Sequence, residues 1–170
     1  DCVPLVLDGG PCTFGIESTI VDCSRGAPVT LRPGHISAAH LEAVTGIQPQ
    51  LEAAAGTPRV SGSLEAHYAP QTHMRMVAGE RLLDFLDAQG QQGVRCGIIG
   101  QSQPPLAGMP HLWCLLAADP VAYAHDLYAT LREMDHAGVD LIVVEAPPDR
   151  PEWVAVSDRL RRAAGGSGSA

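Results

Sequence analysis

The chain has 170 residues, 45% of them hydrophobic, and sets 11 basic against 19 acidic side chains for a formal net charge of −8. That is enough for one ordinary domain and a smaller piece, too apolar for a disordered chain, and too acidic for a broad electrostatic grip on nucleic acid. All 11 basic residues are arginine, which excludes a Schiff-base lysine and a P-loop, so any phosphate contact must use Arg or backbone N–H groups.

The opening predicts three short strands, over residues 4–7, 19–22 and 29–31, separated by turns rich in glycine and proline. A helix is expected from Ser37, a good N-cap, with Leu41 and Val44 on one face and Gly46 as the stop. Three strands and a helix make a poor core alone, so residues 1–46 read as an incomplete piece of a domain. Periodicity then fades over residues 47–72, where Pro49, Gly56, Pro58, Gly62 and Pro70 mark an irregular connector. A connector of this length suits a lid, and the run His67-Tyr68-Ala69-Pro70 favours that reading.

Residues 73–164 alternate cleanly: strand 74–77, helix 80–89, strands 94–99 and 111–115, helix 120–137, strand 141–144 and helix 152–163. The fold class expected is α/β, a Rossmann-like domain with a mainly parallel sheet behind an incomplete strand-rich piece. The long helix has the clearest signals. Asp119 can cap it, Pro120 fits its first turn, Val121, Ala124, Leu127, Tyr128, Leu131 and Met134 share a face, and Gly138 ends it. Residues 165–170, Gly-Gly-Ser-Gly-Ser-Ala, have no side chains to build a core and are expected to be mobile.

No apolar run approaches the roughly 20 residues that span a bilayer, and no basic-then-apolar export signal opens the chain, so a soluble cytoplasmic protein is the default. Cys2, Cys12, Cys23, Cys96 and Cys114 form no C-x-x-C pair, and their odd number argues for a reducing compartment and for mostly buried, inert thiols. Asp8, Glu17 and Asp22 lie near turns, where acids are usually solvated or cap backbone groups, and no metal motif occurs. Glu145 and Asp158 lie near the ends of elements, where α/β proteins often bind ligands. Arg159, Arg161 and Arg162 read as a charge cluster at a helix end rather than a dedicated RNA site.

Two local patterns point to chemistry. Ser18 and Thr19 place hydroxyls at the end of a short strand, suited either to a small polar substrate or to a neighbouring backbone group. Arg32 precedes Pro33, which restricts its backbone to extended forms, so its guanidinium is presented reproducibly, either as a surface arginine or to a phosphate or carboxylate.

The ordered runs Gly15-Ile16-Glu17-Ser18-Thr19-Ile20-Val21-Asp22, Leu31-Arg32-Pro33-Gly34, His67-Tyr68-Ala69-Pro70, Val144-Glu145-Ala146-Pro147-Pro148 and Ser157-Asp158-Arg159-Leu160 resemble the threonylcarbamoyl-adenylate synthase family, the Sua5 branch of the YrdC-like proteins. The resemblance covers almost the whole chain. It implies ATP-dependent joining of L-threonine and bicarbonate or carbon dioxide, with pyrophosphate released, as the first step of tRNA threonylcarbamoylation. It also implies that Ser18, with Thr19, contacts threonine, that Arg32 binds ATP, that His67 and Tyr68 belong to a lid over the nucleotide, and that magnesium arrives with ATP. Downstream threonylcarbamoyl-transfer proteins are the implied partners, with direct tRNA binding by this portion unlikely on charge.

The family's Lys-x-Arg and Ser-x-Asn stretches have no equivalent here. The chain therefore reads as a carboxy-terminal portion, inactive on its own. The alternative from a different class is a non-catalytic α/β module that docks a partner protein or a nucleotide.

Overall fold

The computed structural model describes residues 3–24, 26–51, 58, 60–62, 68–102 and 111–168. Two separate sheets divide it. The first is an antiparallel pair, β1 (Ile20–Asp22) and β2 (Val29–Arg32), followed by helix α1 (Ala38–Thr45). The second holds four parallel strands, β3 (Met74–Val77), β4 (Cys96–Gly100), β5 (Leu112–Leu115) and β6 (Leu141–Glu145), in the order β3-β6-β4-β5. Helices α2 (Gly79–Gln91), α3 (Pro120–His136) and α4 (Val154–Gly166) complete it, with one 3-10 turn at Pro151–Trp153 leading into α4.

The expected parallel sheet is thus present. β3 to β4 and β5 to β6 cross the sheet in opposite directions, and right-handed crossovers then put their helices on opposite faces. Leu82 and Leu86 of α2 pack with Val77, Cys96, Ile98, Leu141 and Val143. On the other face Leu127, Leu131 and Met134 of α3 and Val156 and Leu160 of α4 pack with Met74, Ile99, Ile142 and Val144. β6 is therefore apolar from Leu141 to Val144 because alternate residues serve two cores.

Asp119 caps α3 as expected, its Oδ1 accepting from the Val121 and Ala122 amides at 3.1 and 2.9 Å. Its buried face turns further toward Tyr123 and Thr130 than the pattern suggested, and Val121 is 37% exposed. Ser37 caps α1 and Gly46 ends it, but no residue of α1 is buried and Val44 is 87% exposed. Of the face expected from Leu41 and Val44, Leu41 is half-buried and Val44 stands open.

Two expectations fail. Residues 4–7 form no strand: nothing among the described residues pairs with them, so their backbone has no ladder to join, and Leu5, Val6 and Leu7 lie open to solvent. Residues 165–168 of the carboxy-terminal run are not a free tail. α4 continues through Gly166, and the buried Ser167 hydroxyl accepts from the Met74 amide and donates to the Ala164 carbonyl, both at 2.9 Å. An unpaired amide at the start of edge strand β3 demands that partner, which composition alone does not reveal.

Leu86 is fully buried while Val44 stands in solvent. Leu86→Ala is expected to lower unfolding stability by about 2–5 kcal/mol and Val44→Ala by less than about 0.5 kcal/mol, read as the shift in urea midpoint.

Candidate active site

Ser18 and Arg32, separated by 14 positions in sequence, meet because β1 and β2 pair antiparallel with Ile20 opposite Arg32. Arg32 is not a surface arginine: only 7% is exposed. Its Nε donates to the Ser18 carbonyl at 3.0 Å, its Nη2 to Ser18 Oγ at 3.3 Å, and its Nη1 to the Ser61 carbonyl at 2.8 Å. Described residues thereby engage three of the five guanidinium N–H groups. Ser18 itself is exposed, and its hydroxyl accepts from the arginine fork.

Ser61 belongs to the connector, which therefore touches the site. Its neighbour Gly62 has φ +79°, and a Cβ there would come within 3.2 Å of Arg32 Nη1, so a side chain would press on the guanidinium. The connector is anchored on both sides. Gln50 joins the edge of β2, its carbonyl accepting from the Thr30 amide at 2.7 Å, and Asp135 of α3 accepts from the Gln71 and Thr72 amides at 3.0 and 2.9 Å.

Thr19 uses its hydroxyl proton locally, donating to the Ile36 carbonyl at 2.8 Å. That bond fastens the turn after Arg32 to the segment bearing Ser18 that leads into β1. Gly34 lets the two backbones close: a Cβ there would lie 2.7 Å from the Glu17 carbonyl oxygen and nearer still to the Thr19 amide.

Glu17 joins this arrangement to the four-stranded part. Its Oε2 accepts from Arg159 Nε of α4 at 2.7 Å and, at 3.4 Å, from the Tyr128 hydroxyl of α3. Arg159 also donates from Nη1 to Asp158 at 2.6 Å and from Nη2 to the Pro33 carbonyl at 3.0 Å. Burial works to raise the Glu17 pKa, but hydrogen bonds from Arg159 and Tyr68 and the Arg159 charge outweigh it, leaving the carboxyl below its ordinary range. Burial likewise opposes the Arg159 charge, and Glu17 above all restores it, holding the group above its usual value.

These findings correct two expectations. Arg159 is buried at 4% exposure, while Arg162 turns back to Asp158 at 3.0 Å and Arg161 alone points to solvent, so the three form no surface cluster. Glu17 is partly buried and ion-paired with Arg159 rather than free in solvent, whereas Asp8 and Asp22 cap turns, at the Gly10 and Ser24 amides. Glu17, Ser61, Tyr128 and Arg159 were missed as members of the site. The one signal available was adjacency, Glu17 to Ser18, since pairs more than a hundred positions apart leave no local pattern.

Tyr68 lies beside the same carboxylate. Its ring meets Tyr128 at 4.8 Å between centroids, its backbone has φ 55°, and hydrogen bonding to Glu17 pushes its hydroxyl pKa up. His67 lies outside the described residues.

Beside the site runs a mostly apolar cavity of about 650 Å³ between α1 and the starts of α3 and α4, lined by Ile16, Pro33, Gly34, Ser37 and Ala124 among others. Glu145 ends β6 by accepting from the Gln101 and Ser102 amides at 2.7 and 2.9 Å and from the Ser102 hydroxyl at 2.6 Å.

Among the cysteines, Cys12 and Cys23 are exposed, against the expectation of mostly buried thiols. They sit in the opening piece, where little described structure covers them. Cys96 is buried in the sheet and pushed up to about 11 by that burial, so it is inert, and Cys2 lies outside the described residues. Among the described residues no group of three or more His, Cys, Asp or Glu side chains is placed to hold a metal ion, and no helix is long and apolar enough to cross a membrane.

Because the Glu17 carboxyl is depressed in the folded chain, its ionised form adds stability above the unfolded-state carboxylate pKa, and that contribution is lost as pH falls through the lower folded value. Glu17→Gln is therefore expected to cost about 1–3 kcal/mol at pH 7, with the gap to the unsubstituted chain closing below about pH 4. Urea titrations from pH 7 to pH 3 measure it, and a gap that stays constant would remove the ion pair from the account.

Residues 36–165 match the family described as threonylcarbamoyl-AMP synthase, C-terminal domain. Among curated proteins, the threonylcarbamoyl-AMP synthases of Bacillus subtilis and Pyrococcus abyssi are 34% and 30% identical to it, over 95% and 96% of this chain but 49% and 50% of theirs. The Schizosaccharomyces pombe protein of the same name is 28% identical, over 95% of this chain and 45% of its own. Among solved structures, P. abyssi Sua5 complexed with L-threonine superposes with a TM-score of 0.77 at 27% identity, covering 94% of this chain and 48% of that one. A double-alanine variant of P. abyssi Sua5 gives 0.75 at 26%, with the same coverage. The chain thus spans about half the length of the relatives it matches. With most of its length matched and its parallel α/β fold shared with these relatives, the chain belongs to the threonylcarbamoyl-AMP synthase C-terminal domain family.

Proposed function

We propose that this chain is part of an L-threonylcarbamoyladenylate synthase, a nucleotidyltransferase that joins L-threonine, bicarbonate or carbon dioxide and ATP, and releases pyrophosphate. The observation that carries the reading is the Ser18–Arg32 pair: an exposed serine whose hydroxyl is fixed beside a buried, preorganised guanidinium, in a chain whose relative was crystallised with L-threonine.

In this reading the threonine amine takes up carbon dioxide as a carbamate, whose oxygen attacks the α-phosphorus of ATP as the bond to the pyrophosphate oxygen breaks. Ser18 orients threonine. Arg32 offers its remaining N–H groups to the nucleotide phosphates, and magnesium arrives bound to those phosphates. Catalysis rests mainly on positioning and charge neutralisation, which suits a site whose arginine is already locked by three hydrogen bonds. The connector, which reaches Arg32 through Ser61 and Glu17 through Tyr68, limits water access to the hydrolysable adenylate. The product passes to cytoplasmic transfer proteins that place threonylcarbamoyl on tRNA, and this acidic portion does not itself grip the RNA.

The alternative is a non-catalytic α/β module that docks a partner protein or a nucleotide, and a nucleotide at the carboxyl edge of its sheet meets an obstacle. Glu145 already sets a carboxylate against Gly79 at the start of α2, where a phosphate would otherwise sit.

The test joins this chain to the amino-terminal half that its relatives carry and measures pyrophosphate release from ATP. Release that requires both L-threonine and bicarbonate is expected. Arg32→Ala is expected to lower kcat/KM by about 10²–10³-fold, and Ser18→Ala to raise the KM for threonine by roughly tenfold. Release indifferent to threonine would refute the reading, and activity untouched by Arg32→Ala would remove Arg32 from it.

A further inference from the structure

We propose that Arg159, on the last helix of the four-stranded part, is a positioning residue for the Ser18–Arg32 site, which it holds in register from outside through the Glu17 carboxylate and the Pro33 carbonyl. The inference rests on the functional reading above and assigns a working role to a residue far from it in sequence. Its geometry is specific. Glu17 immediately precedes Ser18, and Pro33 immediately follows Arg32, so one guanidinium grips the two segments that carry the two site residues, each one position from the group it places.

Three features make this grip more than incidental packing. Arg159 is 4% exposed, so its N–H groups have no water to fall back on, and two of its three acceptors lie outside its own helix. Its fork is planar and bonds in fixed directions, so the spacing between Glu17 and Pro33 is set along with the contact itself. The antiparallel pair it holds cannot set that spacing alone, having two short strands, a register irregularity between Ile20 and Val21, and a following helix with no buried residue. Glu17 also receives the Tyr128 hydroxyl and lies beside Tyr68, so the connector registers on the same carboxylate.

Removing the guanidinium should therefore loosen the two gripped segments while the parallel sheet stays folded. Arg159→Gln in this chain is expected to speed amide exchange by about tenfold or more over residues 16–20 and 30–36, leaving β4 and β6 within about twofold. Arg159→Lys, which keeps the charge but not the fork, falls between, and Arg161→Gln on the exposed side of α4 changes nothing.

In the protein joined to its amino-terminal half, Arg159→Gln should raise the KM for L-threonine by about tenfold or more with a smaller loss in kcat, because it displaces Ser18 without removing it. Exchange that rises equally in both sheets, or rises nowhere, overturns the inference. Selective loosening in a protein that makes no threonine-dependent pyrophosphate supports the grip and refutes instead the reading of what it holds.

Discussion

A guanidinium removed from water must find acceptors, and Arg159 finds one on its own helix and two on another part of the chain. Much of the arrangement follows from that requirement. Charge burial of this kind is a poor source of net stability, because desolvation consumes most of the Coulombic gain. What it provides is a penalty for every arrangement in which Glu17 and the Pro33 carbonyl are elsewhere. Apolar contacts, such as those Ile16 makes with the core, tolerate small slides. A forked donor between a carboxylate and a carbonyl does not.

The two parts of the chain are held together by different physics. The parallel sheet is buried by apolar layers on both faces, with Ile98, Ile99, Ile142, Val143 and Val144 all at 0% exposure. The β1–β2 piece has Val29 as its buried apolar residue, beside buried Thr30 and Arg32, and depends on directional bonds: Arg32 to Ser18 and Ser61, Thr19 to Ile36, Gln50 to β2. A site built this way has its polar groups preoriented by partners rather than by packing alone. The arginine that would meet the nucleotide is already paid for in hydrogen bonds, so little reorganisation remains when charge develops.

What the sequence disclosed divides along the same line. The parallel sheet was legible because its signals are local: Asp119-Pro120 opens α3, and the unbroken apolar run at β6 announces a strand covered on both faces. Ordered motifs singled out Ser18 and Arg32, which the fold brings together, and Pro33 gave a local reason for the extended backbone at Arg32. The rest depends on partners far along the chain. Residues 4–7 have a strand's composition without a neighbour to pair with, and Ser167 sits in a glycine-rich tail yet is fixed by the amide of Met74, 93 positions earlier. Arg159 stands among three arginines that composition treats alike, and only the fold separates the buried one from its neighbours.

The location of the site follows from where charge is already satisfied. In an open parallel sheet, ligands usually settle beyond the carboxyl ends of the strands, against a helix N-terminus. Here Ala78 gives α2 no side-chain cap, and the Glu145 carboxylate lies against the first residue of that helix while accepting three hydrogen bonds from Gln101 and Ser102. Burial tends to raise its pKa, but those bonds prevail and keep it below the ordinary value, so it is an anion at neutral pH. A phosphate arriving there would face a fixed negative charge. Arg32 presents the opposite case, a fixed positive charge whose partners among the described residues are a hydroxyl and two carbonyls, none of which neutralises it. Among the described residues, then, the parallel sheet offers a fixed carboxylate beyond its strand ends and the smaller sheet a fixed guanidinium, with Arg159 tying the two parts together.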